Sequence, residues 1–337
     1  MKIMDPYVIV VIIICISLAF SIGAQEETMS TTLGSGSLSV KYALIFGSIL
    51  IFLGTLFLSG SVGKTLGQNI LTENANYSDN MMYAVLITSI IWLLIGATTG
   101  VPVSLNQTVV GSIFGVLLFE SIISEHRFME LIDIKQLSII LLGWVVGPLL
   151  VFFISASMEY IIHKKVHEKI KGLVDSDVKE SFIRLILIGF VCLNQISTAG
   201  NQGGNTLGMI YGLKDKGAIN DNALMVISVV IALVYLLGFL IFGRKLIKGL
   251  GKTMGNMRPS ETLSVEFAGS LLIFLTTLIG LPVSGAQILI FSLLGTKWMR
   301  GEKIDRNSLK RMIRIWLILL PLSIGMACFS YFLLVLI

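Results

Sequence analysis

Charge is scarce in this sequence. Of 337 residues, 25 are Lys or Arg and 20 are Asp or Glu, 13% in all, whereas a soluble globular domain carries about 25%. That deficit leaves no room for a soluble domain. Cysteine is nearly absent. Cys15, Cys192 and Cys328 all lie in apolar stretches, without metal-ligand spacing or a disulfide pattern, and read as small core residues. The three histidines, His126, His163 and His167, sit in loop segments and read as solvated. The basic residues fall in short loops without interleaved aromatics, which argues against a nucleic-acid partner. Internal similarity with a period of about 20 to 50 residues is missing, so the chain is not a solenoid.

What is abundant is apolar sequence. Hydrophobic residues make up 55% of the chain and the mean hydropathy is +0.88. A membrane span needs about 20 mainly apolar residues. Such stretches recur at 6–23, 42–59, 82–100, 137–161, from 185 onward, and at 223–242, 267–281 and 313–337. The expectation is an all-α polytopic membrane protein embedded in a lipid bilayer. The first stretch, ending Ile22-Gly23-Ala24 before Gln25, could also pass for a cleaved signal peptide. The polar residues that follow are better used as the broken part of a first helix.

One pattern occurs twice. Gly100-Val-Pro-Val-Ser-Leu-Asn-Gln107 recurs as Gly280-Leu-Pro-Val-Ser-Gly-Ala-Gln287, 180 positions later. Around it, Ser30-Thr-Thr-Leu-Gly34 echoes Asn205-Thr-Leu-Gly208, and Trp144 with Pro148 parallels Trp316 with Pro321. The chain divides into a first repeat at 1–161, a linker at 162–184 and a second repeat at 185–337. Each repeat is expected to hold a polar-interrupted helix, a plain span, a span running into the Pro-Val-Ser break, a short apolar helix and a long final span.

Loop charges orient the two repeats. The segment 61–80 nets −1, while its counterpart 243–261 nets +4. The segment 120–136 nets −2, while its counterpart 296–315 nets +5. Lys and Arg favour the cytoplasmic side, so equivalent loops of opposite sign imply repeats of opposite orientation. The same rule puts the linker, with His163-Lys-Lys-Val-His-Glu-Lys169, in the cytoplasm and both termini outside. Inverted repeats whose discontinuous helices meet at the midplane are a signature of secondary transporters.

Four polar clusters interrupt the apolar sequence, at 23–34, 98–108, 194–208 and 276–287. Backbone breaks at membrane depth survive only where they line a protein or water-filled cavity. A helix starting near Pro102 or Pro282 tolerates proline in its first turn and leaves its first N–H groups free, an arrangement that attracts anions. Ser104 and Ser284 are expected in the first turn, where they add hydroxyls, and Gln107 and Gln287 lie three residues further on, on the same helix face. No Lys or Arg lies in any cluster, so the chemistry fits a small oxyanion held by neutral donors. Asn201, Gln202, Asn205 and Thr206 could join that site, or could simply glue helices together beside the small Gly203 and Gly204. Glu26 and Glu27 are carboxylates at membrane depth, the expected handle for a coupling cation. No cluster combines a nucleophile, a base and an orienting group, so an enzyme is not expected.

These motifs resemble the inorganic phosphate transporter (PiT) family, over nearly the whole chain. That family carries two Gly-Ala-Asn-Asp-x-x-Asn-x-x-Gly signatures and two Gly-x-Pro-Val-Ser-Thr-Thr-His signatures. Gly23-Ala24-Gln25-Glu26 resembles the first, with Glu26 where aspartate is usual; Asn201 to Gly208 resembles its second copy, with Gln202 in place of aspartate. The Pro-Val-Ser pair matches with Leu105-Asn106 and Gly285-Ala286 in place of the threonines. The resemblance implies inverted-topology repeats with re-entrant helices meeting at one site.

In the family, the paired aspartates are similar to sodium ligands beside phosphate. Their replacement here puts sodium coupling in question. Ala199 to Gly208 and Pro282 to Gln287 also resemble an aspartate-poor sulfate permease branch. The expectation is therefore a symporter of a small oxyanion, sulfate favoured and proton-coupled, with sodium-coupled phosphate transport as the alternative. A passive channel or sensor on the same fold is the alternative of another class. Ser104, Gln107, Asn201, Gln202, Asn205, Thr206, Ser284 and Gln287 would bind substrate. Glu26 with Gln25 would couple the ion, H+ or Na+, and no other cofactor is implied. A homodimer is compatible with this reading.

Overall fold

A computed structural model describes residues 5–73, 75–99, 103–162, 176–253, 257–304 and 306–336. Nearly every described element is a helix; one isolated antiparallel bridge joins Leu71 to Ile132. The first half of the chain holds α1 (Pro6–Ala24), α2 (Ser30–Gly34), α3 (Val40–Lys64, continuing through a π-helical turn Thr65–Asn69), α4 (Asp79–Thr99), α5 (Leu105–Ile123), the short α6 (Phe128–Leu131) and α7 (Ile134–Ile162). The second holds α8 (Ser176–Asp215), α9 (Asp221–Gly238, then a π-helical turn Phe239–Gly243), α10 (Arg244–Thr253), α11 (Pro259–Leu278), α12 (Gly285–Met299) and α13 (Arg306–Leu336). Nine described helices are long and apolar enough to cross a membrane. Side chains such as Phe57, Ile122, Met225 and Leu317 project apolar surface outward from these spans, as a lipid-facing belt requires.

Local chemistry explains where the helices start and stop. Asp5 accepts from the Tyr7 N–H ahead of Pro6, and Asn220 accepts from the Ala223 N–H at the start of α9. These caps satisfy donors that an α-helix leaves unpaired at its N-terminus. Buried hydroxyls are turned back onto their own helix: Ser89 donates to the Val85 carbonyl at 2.7 Å and Ser112 to the Thr108 carbonyl at 2.6 Å. Each hydroxyl is thereby paired without water.

The packing is reciprocal between the repeats. α1 lies against α9, and α8 against α3; α5 lies against α13, and α12 against α7. Each half of the chain thus packs on the other.

Two expectations are corrected here. The cluster at 194–208 is not a break, because α8 runs through it without interruption. Asn194, Thr198, Asn201 and Asn205 bond to neighbours while the backbone ladder continues, and Gly204 lets α3 approach so closely that a Cβ there would meet Val62 Cβ at 2.6 Å. Second, the helices after the breaks begin at Leu105 and Gly285, so the serine is the N-cap rather than a first-turn residue. Gly100, Val101 and Pro102 of the first break lie outside the described residues, as do His163 and His167 with the rest of 163–175.

Candidate functional site

The two breaks end in the same way. Ser104 Oγ accepts from the Gln107 N–H at 3.4 Å, and Ser284 Oγ accepts from the Gln287 N–H at 3.4 Å. Capping by serine satisfies the third N–H of each helix and leaves the first two free. Those free groups belong to Leu105 and Asn106 in α5 and to Gly285 and Ala286 in α12. All four residues, with both serines, border one cavity of about 550 Å3. Two positive helix ends therefore converge on a single space.

The rest of the cavity wall comes from Gln25 and Glu27 after α1, Leu93 and Gly96 in α4, Gln202 in α8, and Phe242, Lys245, Leu246 and Gly249 around α10. The inner wall carries no base. Lys245, exposed on the strongly basic α10, is the one cationic side chain on this wall among the described residues.

The candidate residues separate into two groups. Gln25, Ser104, Gln202 and Ser284 border the cavity. Asn201, Asn205, Thr206, Gln107, Gln287 and Glu26 are buried outside its wall. Asn201 is fully used as a clamp. Its Nδ2 donates to Thr277 Oγ1 at 3.1 Å and to the Leu281 carbonyl at 3.0 Å, and its Oδ1 accepts from the Val283 N–H at 3.1 Å and from Asn106 Nδ2 at 3.2 Å. Asn205 Nδ2 donates to Asn106 Oδ1 at 2.5 Å, and Asn106 Nδ2 also donates to the Val283 carbonyl. The three asparagines form one amide network that fixes the second break against α5 and α8. Gln107 Oε1, Asn205 Oδ1 and Thr206 Oγ1 are buried with no hydrogen-bond partner among the described residues.

Glu26 is 1% exposed and already saturated. Its Oε1 accepts from the Thr28 N–H at 3.2 Å and from the Thr28 hydroxyl at 2.6 Å; its Oε2 accepts from the Tyr235 hydroxyl at 2.6 Å. Tyr235 also lies 3.5 Å from Gln202 Oε1. One O–H has one proton, so the shorter contact to the Glu26 carboxyl prevails over the 3.5 Å one. Of the two adjacent glutamates, Glu27 is the one on the cavity wall.

Three further residues position the site. Asn106 is the hub of the amide network, at a position where the resembling family carries a hydroxyl. Thr277 passes the hydrogen-bond chain on to the Ser197 carbonyl at 3.2 Å. Trp144 Nε1 donates to the Pro282 carbonyl at 2.8 Å, which pins the second break to α7. The parallel of Trp144 with Trp316 in the sequence draws attention to this residue, but the Nε1 of Trp316 has no such partner among the described residues.

A profile of the phosphate transporter family matches residues 22–327. The chain belongs to this family. Among its relatives, a "probable low-affinity inorganic phosphate transporter" of Bacillus subtilis is 25% identical over 337 residues, 96% of this chain and 96% of that protein. A protein of the same description from Mycobacterium bovis is 24% identical over 332 residues, 96% of this chain and 76% of its own. A solved structure, "The sodium-dependent phosphate transporter", matches with a TM-score of 0.83 at 20% identity, covering 99% of this chain and 100% of that one. At that identity the match establishes the fold. As a member of this family the chain is a multi-pass membrane transporter and not an enzyme. Neither relative nor the solved structure is named for sulfate, so the sulfate preference drawn from the motifs has no support from these comparisons.

Proposed function

We propose that the protein carries inorganic phosphate across the membrane by alternating access, together with a monovalent cation. The observation that carries this reading is the convergence of two serine-capped helix N-termini on one cavity, a pair of anion-attracting ends at membrane depth. Family membership and the names of the relatives point to the same anion.

Glu27 favours phosphate over sulfate. Near neutral pH phosphate keeps a proton and can donate a hydrogen bond, while sulfate has none to give. A carboxylate on the cavity wall accepts that bond from phosphate and repels sulfate. Sulfate has one observation on its side, the neutral Gln202 on the same wall.

The loop charges set the proposed orientation: repeats inverted, linker in the cytoplasm, both termini outside. Lys245, Leu246 and Gly249 on the cavity wall belong to the basic segment 243–261, so the cavity opens to the cytoplasm and the state is inward-facing. The reciprocal packing of the repeats suits such an inverted pair.

The test is uptake of radiolabelled phosphate and sulfate into proteoliposomes under imposed sodium or proton gradients. Phosphate should accumulate, and unlabelled sulfate should compete weakly. Preferential sulfate accumulation would overturn the substrate. Gradient-independent flux without counterflow would make the protein a passive channel. Glu27→Gln should erode the phosphate-over-sulfate preference by about tenfold or more, the worth of one hydrogen bond to a charged group; an unchanged preference removes that role.

A further inference from the structure

Glu266 plays no part in the cavity just described. It lies on α11, inside the span Pro259–Leu278, and is 0% exposed. Its Oε2 accepts from Asn194 Nδ2 at 2.7 Å, and Asn194 Oδ1 accepts in turn from Thr198 Oγ1 at 3.2 Å. Its Oε1 has no hydrogen bond of good geometry among the described residues; the nearby Thr31 hydroxyl donates to the Thr28 carbonyl at 3.2 Å instead. A carboxylate at membrane depth with one oxygen unused is costly unless something positive meets it.

Glu266 borders a second cavity, of about 20 Å3, room for one occupant of the size of a water molecule. Glu27 borders it as well, with Gln202, Asn194, Thr198 and Ser292. The polar groups on this wall bring carboxylate, amide and hydroxyl oxygens, the ligand set of a hard cation. No Lys, Arg or His borders it, and neither glutamate forms a salt bridge among the described residues. Two carboxylates thus share a small space with nothing to neutralise them.

We propose that this cavity holds the coupling cation, one sodium ion or one proton, between Glu266 and Glu27. The proposal rests on the reading of a cation-coupled transporter and names the site of that cation. It places the cation away from Glu26, whose oxygens are held by Thr28 and Tyr235 and which acts as a brace for the α1–α2 turn. The charged and titratable groups around the pair are Glu26 and Tyr235 beside Glu27, Lys245 across the larger cavity, and Glu159 of α7, which accepts from Ser264 on α11 at 2.8 Å. Glu27 and Gln202 border both cavities, so the cation and the anion sit on two sides of the same side chains.

The test is thermal unfolding of the purified full-length protein without any added oxyanion, in sodium chloride against choline chloride, and in choline between mildly acidic and neutral buffer. If sodium is the ion, the midpoint of the wild type and of Glu26→Gln rises with sodium. In Glu266→Gln and Glu27→Gln the sodium concentration giving half the rise shifts upward by about tenfold or more. If the proton is the ion, sodium is without effect, and the wild type's gain in stability on acidification is lost in both variants. Ser292→Ala and Thr198→Val change uncharged residues of the same wall and should weaken the response several-fold, which covers the case of a charge variant that does not fold. A wild type indifferent to both ions, or Glu266→Gln responding as the wild type does, would overturn the proposal. Cation stabilisation without phosphate uptake would sink the anion reading and leave this site standing; phosphate uptake without cation stabilisation would do the reverse.

Discussion

The two Pro-Val-Ser breaks share a sequence frame and an identical serine cap, yet their surroundings differ. The second break is held on several sides: Asn201 binds Leu281 and Val283, Asn106 binds Val283, and Trp144 binds Pro282. Gly280, at φ +75°, lies so close to α3 that a Cβ would meet Thr65 Oγ1 at 2.7 Å and the Ser61 carbonyl at 2.8 Å. Around the first break, Gly96, Val103 and Ser104 border the large cavity, as Ser284 and Gly285 of the second do. Trp316, counterpart of Trp144, has no hydrogen-bond partner for its Nε1 among the described residues. Equivalent sequence thus carries unequal restraints among the described residues, although both breaks border the same cavity.

The largest expected effect comes from Gly280. Gly280→Val places a branched side chain at positive φ, against about 1 to 2 kcal/mol of backbone strain and the carbonyl of Ser61. Phosphate uptake should fall to background while the protein stays monodisperse in detergent. Normal uptake would show that the tight contact with α3 is incidental. Next comes Asn201→Ala. It strands several buried partners at about 1 to 3 kcal/mol each, so a drop in thermal midpoint should accompany the loss of transport. A variant as stable as the wild type would deny the clamp.

The tryptophans test the inequality directly. Trp144→Phe deletes the bond to the Pro282 carbonyl and should cost about 1 to 3 kcal/mol, whereas Trp316→Phe should cost clearly less. Equal losses in chemical denaturation would remove the asymmetry. The smallest effect belongs to the caps: Ser104→Ala and Ser284→Ala should each cost about 1 kcal/mol and match each other, since their geometry is the same.

The parts of this fold that were legible in the sequence are those governed by local chemistry. Apolar length reveals the spans, and proline beside serine reveals the breaks, though it sets each serine inside the helix rather than at its cap. The site was harder to read. Glu266 meets Asn194 across 72 positions and Trp144 meets Pro282 across 138, and no local pattern announces such pairs. Polar content misled at 194–208, because Asn194, Asn201 and Asn205 bond to neighbouring helices without disturbing the α8 backbone. Glu26 attracted attention through its place in a family motif. Only the three-dimensional arrangement shows that Thr28 and Tyr235 occupy it and leave Glu27 facing the cavities.

Glu27, Gln202 and Gly285 stand on a wall shared by the two cavities. Occupants on either side of it would attract each other with little intervening water to weaken the force. Thermodynamic reciprocity then obliges each to tighten the other's binding by the same factor. An affinity for the anion measured at one salt composition would therefore describe that mixture, and only a grid of concentrations of both species would describe the protein.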